Sequence, residues 1–459
     1  MLFSFVNFAQ AQVNSAAVWT HLTNSVAARG AARWVQPQKG ELFSLNSNAL
    51  QMVAAKISVN EPSFAAISGT VLELPMPDGS TARFRVVESP IMEPELAAKF
   101  PEIKTYAGQG IDDPDAIVRL DISPVGLHAQ VLSPSGAVYV DPAFRGDARL
   151  HVSYFKRDFL KSDGFQCFTA EPSRAARGIE ETPEATTAAR TLFGTQLRKF
   201  RLAVAATGEY TQFFGGTKAN AMSAIVTAIN RVDGIYETEL AVRLILVSNN
   251  DQIVYTNPNT DPYSNDDANA LLDQNQANLN SVIGNGNYDV GHVFGTGGGG
   301  LASLGVVCVT GWKAQGETGS PEPTGDPFYI DYVAHEIGHQ FGADHTFNSV
   351  TDACEGNRES DQAFEPGSGS TIMSYAGICY PNDLQPHSDA YFHAGSLNQI
   401  FSFLSTGGGC AIKTSTGNSA PTVNAGANYT IPANTPFVLT ATASDANGDP
   451  LTYCWEEMD

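Results

Sequence analysis

The sequence predicts an α/β (α+β) domain in the middle of the chain, a β-rich region before it and the opening strands of a β-sandwich after it. Three observations predict this order. From residue 199 onward, alternating apolar segments flank two segments with helical spacing. Before residue 160, short alternating runs are separated by turn sequences such as PDG and SPSG. After the TSTGNSAP linker, alternating runs continue to residue 459 and are too few for a whole sandwich.

The middle region has the order strand, helix, strand, helix, strand. KFRLAVAATGEY, which begins at Lys199, alternates as a strand, and residues 222–236 carry apolar side chains at three- and four-residue spacing. AVRLILVSN is predicted as the next strand, residues 268–283 as a second helix and YDVGHVF as a further strand. This order is typical of an α/β domain.

A glycine run, GTGGGG, follows at residues 295–300. It lacks the Gly-Lys-Ser/Thr and the helix start of a phosphate-binding loop. We interpret it as a flexible turn into LASLGVVCV, which is predicted as another strand.

Composition excludes two classes of partner. The formal net charge is −22, from 26 Lys and Arg against 48 Asp and Glu. Nucleic acids and anionic membranes require clustered positive charge, which this chain does not offer. No apolar run reaches the roughly eighteen residues of a membrane-spanning helix.

The N-terminus predicts an exported protein. MLFSFVNFAQAQ is a short apolar run that ends in a small-x-small pattern, so residues 1–11 are interpreted as what remains of a secretion signal. Six cysteines fit an extracellular protein with a few disulfides. We therefore expect the protein to be secreted.

Composition also sets the expected domain boundaries. EPSRAARGIEETPEATTAARTLFGTQLR, from residue 171 to 198, has no sustained apolar period and reads as a linker open to proteolysis. The expected units are residues 12–195, a β-rich pro-domain with its linker, residues 196–412, the α/β domain, and residues 418–459. The last unit resembles the start of a PKD or immunoglobulin-like domain.

The segment VAHEIGHQFGADHTF contains the candidate metal ligands. His335 and His339 are four residues apart, so on a helix they project from one face and can bind the same metal ion. Gly342 can adopt positive φ and return the chain, which would bring His345 in as a third ligand. Three nitrogen ligands and a fourth position for water are typical of catalytic zinc. Glu336, next to the first ligand, can then act as general base.

These residues identify a resemblance. HEIGHQFGADH matches H-E-x-x-H-x-x-G-x-x-H, the pattern of the metzincin zinc metalloproteases. GSTIMSYAG places Met373 twenty-eight residues after His345, as in their Met-turn. GGLASLGVVC and EPGSGSTIMSYAGIC resemble bacterial reprolysin-like (ADAM-related) secreted peptidases. The resemblance covers residues 199–412 well and the flanks loosely.

The resemblance implies a metzincin catalytic domain with a twisted mixed sheet and an active-site helix. It implies that the three histidines bind zinc, that Glu336 is general base and then acid, and that Met373 packs beneath the metal. LASLGVVCV would be the edge strand that binds substrate antiparallel, and residues 376–381 would line the pocket after the scissile bond. It also implies disulfides Cys308–Cys410 and Cys354–Cys379, although the sequence alone permits three pairings.

Two residues depart from the reprolysin pattern. Thr346 follows the third histidine where reprolysins usually have Asp. Tyr375 resembles the astacin and serralysin pattern, in which a tyrosine approaches the zinc or stabilises the oxyanion, although it can equally be a packing residue. We therefore include Tyr375 with Glu336 among the candidate catalytic residues.

Latency has two possible sources in the sequence. Cys167, left without a partner before the linker, is a candidate zinc ligand in a latent proenzyme, because thiolate is a good zinc ligand. Its setting, GFQCFTAE, does not match the usual switch motif. Inhibition by the whole pro-domain, with or without this cysteine, is the alternative that we favour.

The remaining candidates are interpreted as structural. His292, His387 and His393 each lie alone in a strand or loop pattern. ESDQAFEPGSGS is acidic, but no EF-hand-like spacing occurs, so calcium has no motif and the segment is interpreted as solvated surface.

The sequence therefore predicts a secreted zinc endopeptidase with protein or peptide substrates, made as a proenzyme, of unknown oligomeric state. Two alternatives remain at this point. One is an inactive metzincin-fold adhesion or binding protein, and the other is a zinc hydrolase of a non-peptide substrate.

Overall fold

The computed structural model describes residues 17–23, 32–59, 69–159, 167–170 and 193–458, with the backbone alone for residues 167–170. The secretion signal predicted over residues 1–11 and most of the predicted linker lie outside the described residues. The side chain of Cys167 does so as well.

The β-rich region forms one antiparallel sheet of nine strands. Across the sheet the order is β1-β2-β9-β8-β7-β6-β5-β4-β3. Its strands are β1 (Trp19–Leu22), β2 (Glu41–Leu45), β3 (Thr70–Pro75), β4 (Thr81–Glu88), β5 (Lys104–Gly110), β6 (Ile117–Ser123), β7 (Gly126–Leu132), β8 (Val138–Phe144) and β9 (Asp147–Phe155). Two short helices, α1 (Ser47–Ala54) and α2 (Pro94–Lys99), lie between strands. One side of the sheet has its own apolar core, which includes Phe43, Leu74 and Phe84.

The second sheet is mixed and belongs to the α/β region. Its order is β10-β14-β15-β13-β11-β12, with β16 paired to β11. The strands are β10 (Cys167–Ala170), β11 (Gln196–Ala206), β12 (Val242–Leu246), β13 (Val290–Gly295), β14 (Gly299–Ser303), β15 (Gly316–Gly319) and β16 (Ile412–Ser415). β14 runs antiparallel to β15. The pairs β15–β13, β13–β11 and β11–β12 are parallel.

Five helices accompany this sheet, and shorter helical turns connect them. The helices are α3 (Gly208–Phe213), α4 (Lys218–Leu240), α5 (Ala268–Leu279), α6 (His335–Gln340) and α7 (Ala394–Thr406). The 3-10 turns are Lys156–Asp158, Asn250–Ile253, Asn285–Asn287 and Asp352–Cys354, and the π-helical stretches are Asn280–Gly284 and Pro327–Ala334. The predicted helices at 222–236 and 268–283 correspond to α4 and to α5 with the π-helical turn after it.

One predicted strand is shorter than expected. LASLGVVCV was expected to be extended throughout, but β14 ends at Ser303. The chain then leaves the sheet, because the backbone N–H groups of Gly305 and Val306 donate to the carbonyls of His339 and Gln340. These donors satisfy carbonyl groups at the end of α6, so tertiary structure overrides the strand propensity of this segment.

Helix α4 packs between the two sheets. It contacts β6 of the nine-stranded sheet on one side and β12 of the mixed sheet on the other. Buried charges cross the junction: Arg231, 1% exposed, lies 2.6 Å from the Asp141 carboxylate, and Arg119 pairs with Glu237. The two parts of the chain therefore meet through paired charges as well as apolar side chains.

Both disulfides implied by the resemblance are confirmed. Cys308 is bonded to Cys410 and Cys354 to Cys379. Cys454 is a free, exposed cysteine. The first disulfide joins the segment after β14 to the segment before β16, and the second lies in the loops around the site described below.

The segment after residue 416 contains one hairpin, β17 (Thr422–Asn424) with β18 (Thr442–Ser444), in an otherwise irregular stretch. A complete sandwich is not formed by the described residues of this segment. In the described part of the whole chain, the helices are too short or too polar to cross a membrane.

Candidate active site

Helix α6 and the turn after it bring three histidines together. His335 and His339 lie one helical turn apart, and α6 ends at Gln340. Gly342 has φ +94°, as the sequence predicted, and its N–H donates to the His339 carbonyl at 2.8 Å. A side chain at this φ would be strained, so glycine permits the reversal that returns His345 to the helix.

The Nε2 atoms of the three imidazole rings converge. Nε2 of His339 lies 3.0 Å from Nε2 of His335 and 3.1 Å from Nε2 of His345. Each Nδ1 lies 2.7 Å from a backbone carbonyl oxygen. These carbonyls belong to Ile372, Ala343 and Asn357.

This arrangement fits a metal ion. A carbonyl only accepts hydrogen bonds, so each Nδ1 carries the ring proton and each Nε2 presents a lone pair. Burial, together with the neighbouring histidine, lowers the pKa of His339 and of His345 well below the ordinary value, which keeps both rings neutral. Nitrogen lone pairs this close repel one another unless a cation lies between them. The group His335, His339 and His345 can therefore hold a metal ion.

Glu336 lies against the sheet, fully buried. Strand β14 makes room for its carboxyl group, since a Cβ atom on Gly300 would lie 2.2 Å from Oε1. The run GTGGGG is therefore only partly a flexible turn: Gly299 and Gly300 belong to β14, and Gly300 gives the carboxyl its space. Sequence analysis missed this role because the partner of the glycine lies on another element.

Met373 packs under α6. A Cβ on Gly338, between the two helical histidines, would lie 2.5 Å from the Met373 sulfur, and Met373 is fully buried. Tyr375 lies beside the histidines, with its ring centre 4.6 Å from that of His345 and 5.8 Å from that of His335. The structure thus brings both residues to the site, and a catalytic part for Tyr375 stays a prediction.

A buried carboxylate joins the third histidine to the loop that carries Met373. Glu365 Oε1 accepts hydrogen bonds from the hydroxyls of Thr346 and Thr371, both at 2.5 Å. Oε2 accepts from the backbone N–H of Ser370 at 2.7 Å and of Thr371 at 3.0 Å. Glu365 is 6% exposed, so the interpretation of ESDQAFEPGSGS as solvated surface is wrong for this residue.

β14 is covered by a strand from before the linker. β10 pairs with it in parallel, with Cys167 opposite Gly300 and Ala170 opposite Ser303. Without β10, β14 would be the edge of the mixed sheet. The main chain of residues 167–170 thus occupies the edge beside Glu336, and whether Cys167 ligates a metal stays a prediction.

The sequence also predicted structural roles for His292, His387 and His393. His292 is buried and hydrogen-bonded to Gln340 and Thr318, and His393 accepts a hydrogen bond from Gly395 at the start of α7. Both are structural, as expected. His387, also expected to be structural, lies 3.4 Å from the Asp331 carboxylate.

One comparison with known proteins, the family model, agrees with the motif. Residues 197–404 match the family model described as metallo-peptidase family M12B, reprolysin-like. The crystal structure of metalloproteinase-II from Bacteroides fragilis is similar with a TM-score of 0.43 and 12% identity, over 78% of this chain and 95% of that one. A chaperone-substrate complex is similar with a TM-score of 0.18 and 12% identity, over 26% of this chain and 86% of that one. None of the curated proteins matches.

Proposed function

Since residues 197–404 of this chain belong to the reprolysin-like metallopeptidases of family M12B, we propose that the protein is a secreted zinc-dependent endopeptidase made as a proenzyme. The observation that carries the proposal is the convergence of three histidine Nε2 atoms next to a buried glutamate.

The proposed metal ligands are Nε2 of His335, His339 and His345. When bound, zinc supplies Lewis-acid chemistry, because it acidifies water and polarises a peptide carbonyl. The carbonyl oxygens that accept from the three Nδ1 atoms fix the rings so that their Nε2 atoms face one another and would hold the ion. Two of those carbonyls belong to residues outside α6 and its turn, which ties the ligands to the Met373 loop and to the loop before Glu365.

Glu336 is the proposed general base and acid. Its carboxylate takes a proton from the attacking water and delivers it to the nitrogen of the leaving amine, so no covalent enzyme intermediate is required. Burial against β14 keeps bulk water away from this carboxylate and fixes its position. A fixed, dry carboxylate needs little reorganisation at the moment of proton transfer. Tyr375, next to His345, is a candidate hydrogen-bond donor to the developing oxyanion.

β14 is the proposed substrate-binding edge. An extended peptide that pairs with an exposed strand gains main-chain hydrogen bonds whatever its sequence. This mode suits protein and peptide substrates better than a compact non-peptide molecule. Residues 376–381, on the loop after Met373, are the proposed wall of the pocket for the side chain after the scissile bond.

The pairing of β10 with β14 supports latency. A peptide cannot add to an edge strand whose hydrogen-bonding groups are already paired, so β10 competes with substrate for the same backbone. The strand comes from the part of the chain before the linker, which also contributes the nine-stranded sheet packed on α4. We therefore propose that residues 12–195 inhibit the enzyme and that cleavage in the linker starts their release.

Linker cleavage is expected to activate the full chain. Immobilised trypsin would cut at Arg174, Arg177 or Arg190, and casein hydrolysis measured after removal of the trypsin should rise above that of the intact chain. Zinc determined in the same sample should be about one per chain, as a three-histidine site predicts. A variant with all three arginines replaced by glutamine is the control and should stay latent.

Each other outcome of this experiment changes the proposal. If the intact chain is as active as the cut chain, the proposal that the protein is made as a proenzyme is wrong. Zinc without hydrolysis in every form would favour an inactive metzincin fold or a non-peptide substrate. Absence of zinc would contradict the assignment of the three histidines.

Replacing Gly300 by alanine is expected to abolish most of the hydrolysis by the cut protein while zinc stays bound. The new Cβ would lie 2.2 Å from Glu336 Oε1 and 2.6 Å from its Cδ, so the carboxyl must move. Gly286→Ala is the matched control, since nothing lies within 4 Å of a Cβ there. Comparable rates for the two variants would show that Glu336 does not depend on the space at Gly300.

A further inference from the structure

A second group of side chains that could hold a metal ion includes none of the three histidines. Asp326, Asp331 and His387 each offer one ligand atom, and these atoms lie within 4.8 Å of one another. All three residues are buried, with exposed fractions of 0%, 5% and 4%. Asp331 lies in the π-helical stretch Pro327–Ala334, which leads into α6, and Asp326 is the residue before that stretch. The group is therefore part of the peptidase domain.

The pro-domain places a cation in this group. Lys156, in the turn after β9, has its Nζ 2.9 Å from Asp326 Oδ2 and 3.6 Å from Asp331 Oδ1. Burial alone would lower the pKa of Lys156, but the two carboxylates outweigh it and raise the pKa above the ordinary value. The side chain is therefore an ammonium that stands between two carboxylates of the other domain.

The carboxylate of Asp326 depends on this ammonium. Both of its oxygens are buried, and the side chains that interact with its carboxylate, those of Lys156 and Tyr139, both belong to the region before the linker. An ionised carboxylate is costly to bury unless a cation lies beside it. Among the described residues, the ion pair with Lys156 is the only salt bridge of Asp326. When Lys156 leaves, Asp326 requires another cation or water.

His387 adds a nitrogen lone pair to the group, and the Lys156 ammonium makes no contact with it among the salt bridges and hydrogen bonds described above. Its Nε2 contacts the carbonyl oxygen of Phe159, which only accepts, so Nε2 carries the proton. In the neutral ring, Nδ1 then presents a lone pair to Asp331 Oδ2 at 3.4 Å. Two acceptors that face each other repel unless a proton or a cation lies between them. Imidazole nitrogen is a good ligand of first-row divalent metals.

We propose that Asp326, Asp331 and His387 form a divalent-cation site of the peptidase domain, and that Lys156 occupies this site while the pro-domain is docked. The two carboxylates with one ammonium carry one net negative charge, whereas the two carboxylates with a divalent ion in place of the ammonium carry none. Two oxygen donors and one nitrogen donor suit manganese or zinc better than calcium. Release of the pro-domain, which rests on the proposed function, would then exchange a lysine for a metal ion next to the start of α6.

Lys156→Met in the full chain tests the site directly. Methionine keeps an unbranched apolar stem but removes the charge. Zinc-loaded protein is titrated with Mn²⁺, and bound Mn²⁺ is counted by electron paramagnetic resonance. The variant should bind one more Mn²⁺ per chain than the unaltered protein. Any Mn²⁺ that enters the three-histidine site does so in both proteins, so the difference is independent of the proposed function.

Two further variants complete the test. Lys99→Met is the matched control, because Lys99 also pairs with an aspartate of the peptidase domain, Asp251, at 2.6 Å but in an exposed position. It should gain no Mn²⁺. Lys156→Met combined with Asp326→Asn should lose the additional ion, since one carboxylate ligand is gone.

Equal Mn²⁺ binding by Lys156→Met and the unaltered chain would overturn the proposal. An equal gain in Lys99→Met would also overturn it. Circular dichroism covers the case in which Lys156→Met does not fold. Folding that is restored by Mn²⁺ would support the site, and a chain that stays unfolded with Mn²⁺ would contradict it.

Discussion

Replacing Glu336 by glutamine is expected to lower the rate of peptide hydrolysis by about 10²–10⁴-fold, the usual contribution of a general base. Glutamine has nearly the same shape, so it fits the space at Gly300, but its amide cannot take a proton from water. The three histidines and the carbonyl oxygens behind them are unchanged, so zinc content should stay as in the unaltered protein. The measurement is kcat for a fluorogenic peptide with linker-cut protein, with zinc determined in parallel.

The control for this variant is Glu355→Gln. Glu355 is exposed, on the loop between His345 and Glu365, and should tolerate the same change without loss of rate. A Glu336→Gln enzyme with nearly full activity would show that another group moves the proton. A variant that also loses zinc would show that Glu336 is needed for the metal site itself, which its proposed role does not require.

The part of the site that could be predicted is the part that is local in sequence. His335, His339 and Gly342 lie within one helix and its turn, so spacing and the special φ of glycine were enough to predict how they meet. The family match now gives this motif its context. Met373 could be placed only by resemblance, since nothing in the chain near it indicates that it packs against Gly338.

The parts that could not be predicted depend on contacts between distant segments. The strand after residue 301 was predicted too long because its end is set by the carbonyls of α6, which no local pattern shows. Gly300 looked like a flexible residue, since the carboxyl that needs its space lies on another element. Lys156 carried no signal at all, because its acidic partners become neighbours only when the two sheets pack on α4.

The buried position of Glu365 was not predicted from the sequence, because its hydrogen-bond partners lie elsewhere in the chain. Its acceptor oxygens bind donors near residues 346 and 370, on both sides of it in sequence, and an acidic residue in a Gly- and Ser-rich stretch normally indicates solvated surface. The departure at Thr346 was the available signal. Threonine follows His345 where the reprolysin pattern usually has Asp, so the local sequence supplies no carboxylate there. In this chain the Thr346 hydroxyl donates a hydrogen bond to the Glu365 carboxylate.

Replacing Glu365 by alanine is expected to destabilise the protein by about 3 kcal/mol or more, since each buried donor left without a partner costs about 1–3 kcal/mol. The donors include the backbone N–H groups of Ser370 and Thr371, which have no side-chain freedom to turn away. Because these residues lead into Met373, and Thr346 follows His345, zinc should also dissociate faster.

The two effects are measured separately, by the thermal midpoint Tm and by the rate at which a chelating dye removes zinc from the folded protein. Glu355→Ala on the same loop is the control and should change neither, because that side chain is exposed. A lower Tm with an unchanged rate of zinc loss would limit Glu365 to stabilising the loop. If Glu365→Ala loses zinc faster and Glu365→Gln loses it at a rate between those of Glu365→Ala and the unaltered protein, a hydrogen-bond acceptor at this position holds the third histidine against the Met373 loop.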